Sequence, residues 1–523
     1  MGRYLENNVW VNSGWQCYDR FNDTQGDPPS VLKNVGAIRQ RFNMSIALHW
    51  YEWQCGFDNL CVKDQGKIRY KFDTEYPDYF PARRGDGFRE AVDALHAQGV
   101  YTFPYINGRI FDNNSRSFVN DHGEQYIVKQ YTPPSAATYG DTSQLTECKE
   151  AYGSKELDGQ LVYFDVADPT TEYWQDKYAS HVERLVNESH VGGVYIDQLC
   201  AGSPLPDFTP GRTHRVGGGA WWRQGLVQLL RKAHARSKVD GRWSPLVVES
   251  NSEFLMDVAN GLLTLVAFGV PFAEQNPPPA PAQAPTAQSV AAPASILVPA
   301  FPAVYGGYFV GFGSIYTHND LALDANVLAS RMAASFVYGI QIGWFSLQGV
   351  DHGPDLDTRC GPMYTQDLWM MPKHDPEVAF LQLLARSRGS MARYFVHGSL
   401  AQPVEVSPTP RTFMAPVQQI MPRNPGPFPT LSSAVWRTHN LSSVCVFLVS
   451  STQASVDAAF TMDMRDYGFD LAQQHFVVEL VTSEGSRSKV ATVVDGVVVL
   501  KRKIAGRSVE MLEVTPTTEV DMK

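Results

Sequence analysis

Short apolar runs alternate with amphipathic helical stretches over the first 390 or so residues of the chain. Val9–Val11 and Met44–Trp50 are two of these runs, and each has the length of one buried strand. The segment between them has one apolar helix face, formed by Val31, Val35, Ile38 and Phe42. A second helix face follows, formed by Phe88, Ala91, Val92 and Leu95, and Gly99 marks its end. The pattern therefore predicts strand and helix in strict alternation.

This alternation recurs seven or eight times along the chain. A continuous apolar strand between amphipathic helices is typical of parallel βα units, because helices then cover both faces of the sheet. So many units favour a closed barrel over an open doubly wound sheet. No Gly-x-Gly-x-x-Gly motif opens the first unit, which argues against a dinucleotide-binding fold. We therefore predict an α/β protein with a (β/α)8 TIM barrel over residues 1–395.

One stretch near residues 273–299 breaks the alternation. It contains Pro277-Pro278-Pro279 and a Pro/Ala/Gln repeat from Asn276 to Pro293, with few charged or β-branched residues. Such a composition cannot bury enough apolar surface to order itself. We interpret it as a disordered insertion in a barrel loop.

The helical period disappears after about Arg393. Alternating or continuous strand-like runs follow at turn-sized spacing, at Ser433–Arg437, Ser443–Val449, Phe476–Val481 and Val497–Lys501. This pattern predicts an antiparallel β-sandwich domain over residues 396–523. We expect it to cover apolar surface of the barrel, with Trp436, Val446 and Leu448 buried.

Composition narrows the classes of partner. The chain has 44 basic and 54 acidic side chains and a net charge of −10, without a long basic run, so nucleic acid is not an expected partner. No apolar run is long enough to span a membrane. The first residues lack the apolar core of a signal peptide, which predicts a cytoplasmic protein or a chain whose true N-terminus is missing. The seven cysteines form no Cys-x-x-Cys pair, and neither a metal nor a cofactor is expected.

Acidic residues end two of the predicted barrel strands. Functional residues of such barrels gather at the carboxyl ends of the strands. Asp197 ends the run that begins at Gly193, and Glu249 ends the next strand along the chain. Neighbouring strand ends would bring the two carboxyl groups together, as glycoside hydrolysis requires. We predict that Asp197 and Glu249 are catalytic.

Aromatic and polar side chains at the other strand ends fit a carbohydrate cleft. Indole rings stack on the apolar faces of sugars, and amide and guanidinium groups bind hydroxyls in fixed orientations. The predicted substrate-binding residues are Trp50, Trp53, Asn107, Arg109, Gln198, Glu253 and Trp344.

Three alternatives remain open. Glu253 is a rival to Glu249 as the acid, since it lies four residues further along the same loop. Asp165 and Asp168 form a second candidate site, although the sequence after Asp168 reads as a helix start and favours a capping role. His214 lacks the spacing of a metal ligand and is interpreted as a hydrogen-bonding residue of a loop or cleft.

Several motifs resemble a family of glycosidase-like TIM barrels. They are Gly193–Gln198, Gly217–Trp222 and Val247–Glu253, with similar segments at Phe72–Pro77 and Pro104–Arg109. That family is distantly similar to the endo-α-N-acetylgalactosaminidases and to the α-galactosidase and α-glucosidase barrels, and the resemblance covers roughly residues 5–400.

The resemblance implies an O-glycosyl hydrolase that acts on α-linked substrates with retention. In it, Asp197 matches the nucleophile at strand 4 and Glu249 matches the acid/base after strand 5. A catalytically silent carbohydrate-binding barrel is the alternative reading.

The insertion supplies a first test. Replacing residues 276–293 by a short Gly/Ser linker should change the melting temperature by less than about 2 °C, because the segment contributes no packed core. Differential scanning calorimetry of both proteins measures the change. A fall of many degrees would show that the segment packs against the barrel.

Overall fold

A computed structural model describes most of the chain. The described residues are 9–13, 28–51, 53, 63–64, 67–68, 76–80, 87–113, 115–131, 143, 145–147, 149–157, 160–239, 241–264, 299–312, 325–346, 369–410, 412–413, 428–471 and 475–517. The Pro/Ala-rich insertion predicted near 273–299 lies outside them, apart from Pro299.

Eight parallel strands form the central sheet. In chain order they are β1 (Val9–Ser13), β2 (Ile46–Trp50), β3 (Val100–Asn107), β4 (Val194–Asp197), β5 (Leu246–Glu249), β6 (Gly261–Leu263), β7 (Val310–Phe312) and β8 (Gly343–Ser346). Their order in the sheet is β7-β6-β5-β4-β3-β2-β1-β8. Each strand therefore lies beside its predecessor, and the last strand returns to the first. The predicted parallel α/β sheet is confirmed.

The two outer strands of this order, β7 and β8, approach each other. The backbone N–H of Gln341, two residues before β8, donates to the carbonyl of Gly311 in β7 at 2.8 Å. The indole of Trp10 in β1 stacks on Phe312 in β7 at 3.6 Å and donates to the Gln341 side chain at 2.6 Å. Apolar and polar contacts thus link the two sides of the sheet across its interior.

Helices separate most of these strands. They are α1 (Pro28–Phe42), α2 (Phe88–Ala97), α3 (Glu172–Asn187), α4 (Trp221–Arg236), α5 (Ala300–Tyr305), α6 (Ala325–Val337) and α7 (Asp375–Ser390). Between β5 and β6 the described chain makes only a 3-10 turn, Glu253–Leu255. The remaining short helical segments are Arg116–Asn120, Gly123–Gln125, Pro372–His374, Ala392–Phe395 and Met464–Tyr467.

Buried faces of the helices follow the predicted spacing. In α2 the buried residues are Phe88, Ala91, Val92 and Leu95, and the chain leaves the helix through Gly99, whose φ is +77°. A positive φ is accessible to glycine without steric cost, so Gly99 permits the direct turn into β3. None of the described helices is long and apolar enough to cross a membrane.

Several short antiparallel strands pair with one another outside the central sheet. Ile110–Asp112, Gln160–Val166 and Lys149–Leu157 form a three-stranded sheet between β3 and α3. Two-stranded pairs are formed by Lys63–Asp64 with Lys67–Ile68, Lys129–Tyr131 with Leu145–Glu147, Lys238–Val239 with Arg242–Trp243, and Thr412–Phe413 with Phe428–Pro429.

Two antiparallel sheets follow residue 398, which confirms the predicted all-β region. The strands are β9 (Gly398–Leu400), β10 (Val406–Ser407), β11 (Leu431–Thr438), β12 (Val444–Ser450), β13 (Val456–Asp463), β14 (His475–Val481), β15 (Arg487–Val493), β16 (Val497–Ile504) and β17 (Val509–Thr517). One sheet has the order β9-β11-β12-β17-β14-β15 and the other β10-β13-β16.

The six-stranded sheet has two apolar faces. On one face, Val446 and Leu448 pack with Phe460 and Val498 of the three-stranded sheet. The opposite face carries Trp436 and belongs to the core of the parallel sheet and its helices. All three predicted positions, Trp436, Val446 and Leu448, are buried. The alternation of side chains along a strand explains how adjacent residues serve two cores.

Trp436 joins these two parts of the molecule. Its indole N–H donates to the carbonyl of Val337 at the end of α6 at 2.8 Å, and its ring meets Phe395 edge-on at 5.2 Å. Gly339, with φ +73°, lies beneath the ring, and a Cβ there would come within 2.9 Å of it. The contact therefore needs both the indole and the absence of a side chain at residue 339.

Truncating this indole should destabilise the protein strongly. Trp436→Ala is expected to lower the free energy of unfolding by about 3–5 kcal/mol, because it leaves a cavity and an unpaired carbonyl. Chemical denaturation measures the change. Trp243→Ala is the matched control, since the Trp243 side chain is 60% exposed, and it should cost less than about 1 kcal/mol. Equal losses would show that Trp436 is not a stabilising contact.

Candidate active site

The carboxyl ends of three neighbouring strands meet in one polar site. β4 lies between β3 and β5, with Asp197 opposite Asn107 and Ile196 opposite Val248. Glu249, the residue after Val248, therefore ends beside Asp197. Because parallel strands in register end at one edge of the sheet, the predicted pair of carboxylates is brought together by backbone pairing alone.

Asp197 is buried and receives several hydrogen bonds. The Tyr105 phenol donates to its Oδ2 at 2.8 Å, and the Tyr195 phenol donates to its Oδ1 at 2.9 Å. The Asn107 amide lies 3.4 Å from Oδ2. Tyr105 and Asn107 are two residues apart on β3, as are Tyr195 and Asp197 on β4, so each pair shares one face of its strand. This period places all four side chains in one site.

Glu249 and Asp197 interact directly through a hydrogen bond between their carboxyl groups. The backbone N–H of Gln198 donates to Glu249 Oε2 at 3.1 Å. Burial, and then the negative charge of Asp197, hold the pKa of Glu249 well above its usual value. Burial also raises the pKa of Asp197, but hydrogen bonds from Tyr105, Glu249 and Tyr195 offset part of that rise. The arrangement favours one proton on Glu249 and a negative charge on Asp197.

Both acids are followed by a residue in the left-handed backbone region. Gln198 has a φ of +60° and Ser250 a φ of +68°. This conformation costs a non-glycine residue about 1–2 kcal/mol. At Gln198 it accompanies a functional contact, because the same residue's N–H binds Glu249. The strained backbone at both strand ends is therefore directly next to the two acids.

Asn107 and Gln198 lie next to the two acids. The Asn107 side-chain oxygen accepts the backbone N–H groups of Arg109 and Ile110 at 3.0 and 3.2 Å, and its amide group donates to Gln198 Oε1 at 3.2 Å. Arg109 is buried and its guanidinium lies over the Trp222 ring at 4.9 Å. Asn107 thus fixes the turn after β3 and borders Asp197 at the same time.

Trp50 and Trp53 do not line the site. Both have 0% exposure. Trp50 packs against Phe88 of α2 at 5.0 Å, and the Trp53 indole donates to the carbonyl of Tyr105 at 2.8 Å. The expectation that they stack on sugar is therefore corrected, because both rings form part of the core between sheet and helix.

Glu253 lies away from the carboxyl pair. Glu253 is exposed at the start of the 3-10 turn, and its Oε2 accepts the Tyr305 phenol. Glu249, by contrast, is hydrogen-bonded to Asp197, so the geometry favours Glu249 over Glu253 as the partner of Asp197. The backbone of Trp344 belongs to β8, but its side chain lies outside the described part of the chain.

Asp168 belongs to a separate buried cluster. Its Oδ1 accepts the N–H and the hydroxyl of Thr170 at 2.8 and 2.6 Å, before α3, whose N-cap residue is Thr171. Asp168 therefore shapes the approach to the helix without being the cap itself. Its second oxygen faces Arg212 Nε at 3.2 Å.

This cluster brings together residues that are distant in sequence. The ligand-type atoms of Asp168, Asp207 and His214 lie within 4.8 Å of one another. Arg212 Nε also lies 3.4 Å from Asp207 Oδ2, and the His214 ring stacks on Trp221 at 4.1 Å. The guanidinium already balances the two carboxylates, so the cluster acts as an ion-pair network that anchors the segment between β4 and α4. Periodicity does not bring these residues together in advance, because they come from two loops, one before α3 and one between β4 and α4.

A family model described as a domain of unknown function, DUF6259, matches residues 5–316, which is more than half of the chain. The chain belongs to the DUF6259 family. The matched region contains β1–β7 and both acids of the site.

Two relatives of this DUF6259 chain carry the name "Putative glycoside hydrolase". One, from Monosiga brevicollis, is 44% identical over 467 residues, which cover 88% of this chain and 36% of the relative. The other, from Bacteroides thetaiotaomicron, is 24% identical over 379 residues, which cover 72% of this chain and 44% of the relative. The chain thus spans less than half the length of either. The predicted kinship with glycosidase-like proteins is confirmed.

Solved structures share the fold of the DUF6259 chain at low sequence identity. A maltogenic α-amylase from Thermotoga neapolitana has a TM-score of 0.52 and 12% identity, with 98% of this chain and 100% of that chain covered. An α-N-acetylgalactosaminidase from Bifidobacterium bifidum has a TM-score of 0.50 and 12% identity, with 86% and 57% covered. At this identity the likeness is one of fold.

The raised pKa of Glu249 predicts a pH-dependent effect on stability. A carboxyl group whose pKa is higher in the folded state binds its proton more tightly there, so its contribution to stability is complete below about pH 4.3 and is lost as the pH rises through the folded-state pKa. Glu249→Gln cannot ionise. The variant should therefore be more stable than the parent protein at neutral pH, and the difference should shrink on acidification.

Thermal unfolding of both proteins from pH 4 to pH 8 measures this difference. Glu253→Gln is the matched control: it makes the same chemical change on an exposed side chain, and its effect should stay nearly constant with pH. A Glu249→Gln variant that is less stable than the parent at every pH would contradict the assignment of a shared buried proton.

Proposed function

We propose that this chain carries the catalytic barrel of a glycoside hydrolase that cleaves α-linked O-glycosidic bonds with retention of configuration. The observation that carries the proposal is the hydrogen bond between two carboxyl groups, those of buried Asp197 and half-buried Glu249, at the ends of neighbouring strands. The names of its relatives and the fold of its structural neighbours support the same class. The α-linkage rests on the resemblance to α-glycosidase barrels.

In the proposed reaction, Asp197 is the nucleophile and Glu249 the acid/base. Asp197 attacks the anomeric carbon while the bond to the leaving oxygen breaks, and Glu249 gives its proton to that oxygen. Glu249, now ionised, then takes a proton from water, which attacks the glycosyl-enzyme ester and releases Asp197. The unequal surroundings of the two acids favour these roles, because the nucleophile needs its charge and the acid needs its proton. No cofactor takes part.

The separation of the acids favours retention over inversion. Retaining enzymes hold their carboxyl groups about 5–5.5 Å apart, and inverting enzymes hold them about 6.5–9.5 Å apart to admit a water molecule. Here the two groups are in hydrogen-bond contact, so a sugar must separate them before it can reach Asp197. Rotation of the Glu249 side chain, which is longer than that of Asp197, would separate the two groups. The carboxyl group of Glu249 would have to move less to reach the retaining separation than to reach the inverting one.

We further propose how the substrate is held and how the chain is divided. Asn107 and Gln198 lie beside the acids and would offer amide groups to sugar hydroxyls. Arg109, whose guanidinium lies over Trp222, would offer a further donor group. The eight strands close into a (β/α)8 barrel across the Gln341–Gly311 hydrogen bond. Residues 1–395 form the barrel unit and residues 396–523 a β-sandwich that supports it.

A catalytically silent carbohydrate-binding barrel is the second candidate. The observation that favours it is that Asp197 is hardly accessible. The residue is 6% exposed, and its oxygens accept hydrogen bonds from Tyr105, Tyr195 and Glu249. If Glu249 never moves away, sugar can rest at the rim of the site without reacting. A screen of chromogenic α- and β-glycosides on the purified chain separates the two candidates, because only the hydrolase releases the chromophore.

Substitution of each acid distinguishes their roles. Asp197→Asn should lower kcat by at least about 10⁴-fold on every substrate, because the amide cannot form the glycosyl-enzyme. Glu249→Gln should lower kcat by about 10²–10⁴-fold on natural glycosides but spare the first step with a dinitrophenyl leaving group, which needs little protonation. Azide should restore turnover in that variant, because it attacks the intermediate without a general base.

Steady-state and burst kinetics on substrates of graded leaving-group pKa provide the measurement. Glu253→Gln is the comparison variant and should show neither the leaving-group dependence nor the azide effect. If Glu253→Gln shows both while Glu249→Gln is nearly normal, the acid is Glu253. If an activity is present and neither Asp197→Asn nor Glu249→Gln changes it, the carboxyl pair is not the catalytic site.

A further inference from the structure

Two phenol groups hold the Asp197 carboxyl group from opposite sides. Tyr105 reaches Oδ2 from β3 at 2.8 Å, and Tyr195 reaches Oδ1 from β4 at 2.9 Å. Both tyrosines are buried, and each lies two residues before the end of its strand. One donor on each oxygen leaves the carboxyl group little freedom to rotate about its final bond.

The phenol rings are themselves held by aromatic neighbours from β2 and the residue after it. The Tyr195 ring lies 3.9 Å from the His49 ring, and the Tyr105 ring stacks on Tyr51 at 4.5 Å with 27° between the planes. His49 and Tyr51 also contact each other at 4.4 Å. Four rings therefore form one buried layer beneath the carboxyl pair, and neither phenol can leave Asp197 without disturbing that layer.

The two acids receive different numbers of donors. Asp197 has the two phenols, the more distant amide of Asn107 and a share of the backbone N–H of Gln198. For Glu249, the donor among the described residues is the backbone N–H of Gln198. Donors that bind a carboxylate favour its charged form, and charged hydrogen bonds are the stronger ones. A single proton shared by the pair is accordingly driven towards Glu249.

We propose that Tyr105 and Tyr195 are positioning residues that fix the orientation of Asp197 and direct the shared proton to Glu249. Their part in catalysis rests on the proposed function, since it assigns the nucleophile and the acid. Their effect on the location of the proton exists without substrate. The phenols thus decide which of two similar acids carries the charge.

Other titratable groups face the pair as well. His49 and Tyr51 lie below the phenols, and Tyr178 approaches from α3. Burial lowers the pKa of His49 well below its usual value, and burial raises the pKa of Tyr178 well above its usual value, so both are neutral near pH 7. The charge of the pair is therefore set by its own proton and by the donors around it.

Infrared difference spectroscopy tests the location of the proton without turnover. The protonated-carboxyl band that disappears in Glu249→Gln identifies the shared proton. In the parent protein, labelling all aspartates with ¹³C should leave this band unshifted, because the proton is on a glutamate. In Tyr105→Phe and in Tyr195→Phe, part of the band should move to the ¹³C position, with the ratio of the two placements changing by roughly tenfold per lost donor.

The pH profile of kcat/KM gives a second readout if the chain is active. Each tyrosine variant should move the acidic limb upward by about one pH unit, because Asp197 then binds a proton more tightly. Tyr394→Phe is the matched control. Its buried phenol also donates to a carboxylate, that of Glu513, but between the short helix Ala392–Phe395 and β17. It should lower the melting temperature without moving either the band or the acidic limb.

The outcomes are distinct. A shifted band in a chain that turns over no glycoside supports the positioning role and contradicts the proposed function. Activity with an unshifted band and an unchanged acidic limb in both tyrosine variants overturns the positioning role and leaves the hydrolase intact. A melting temperature that falls as in Tyr394→Phe, with no other change, would show that the phenols are structural only.

Discussion

The hydrogen bond between the carboxyl groups of Asp197 and Glu249 is the contact on which the rest of this structure depends. Two neighbouring acids in a largely buried site are costly to charge together, because water and salt screen their repulsion only weakly there. One proton held in common resolves the conflict. The sheet makes the arrangement possible, since two neighbouring parallel strands in register deliver their last side chains to the same point.

The surroundings of the pair show how such a site is kept in place. Backbone hydrogen bonds of β4 with β3 and β5 fix the main chain up to Asp197 and Glu249, and the next residue on each side is turned into the left-handed region. The aromatic layer supports the site from within the sheet. The contact of Trp436 with the end of α6 joins the antiparallel sheets to the helices of the parallel sheet at a different place.

Sequence reasoning located the acids because it used a rule of backbone geometry: parallel strands end together, whatever their side chains are. The same reasoning could have found Tyr105 and Tyr195, because a period of two places them beside Asn107 and Asp197. It misplaced Trp50 and Trp53, since an aromatic residue near a strand end serves the core or the cleft equally well by pattern. The cluster of Asp168, Asp207 and His214 was beyond it, because loop conformation rather than periodicity brings those residues together.

The carboxyl pair also has a consequence for any attempt to stabilise the chain. Its two acids repel each other, and each is followed by a residue in the left-handed region, so the site is a local weakness that the remaining core offsets. An amide at either position relieves the repulsion. A search for stabilising substitutions would therefore lead first to the two residues that the proposed reaction cannot lose.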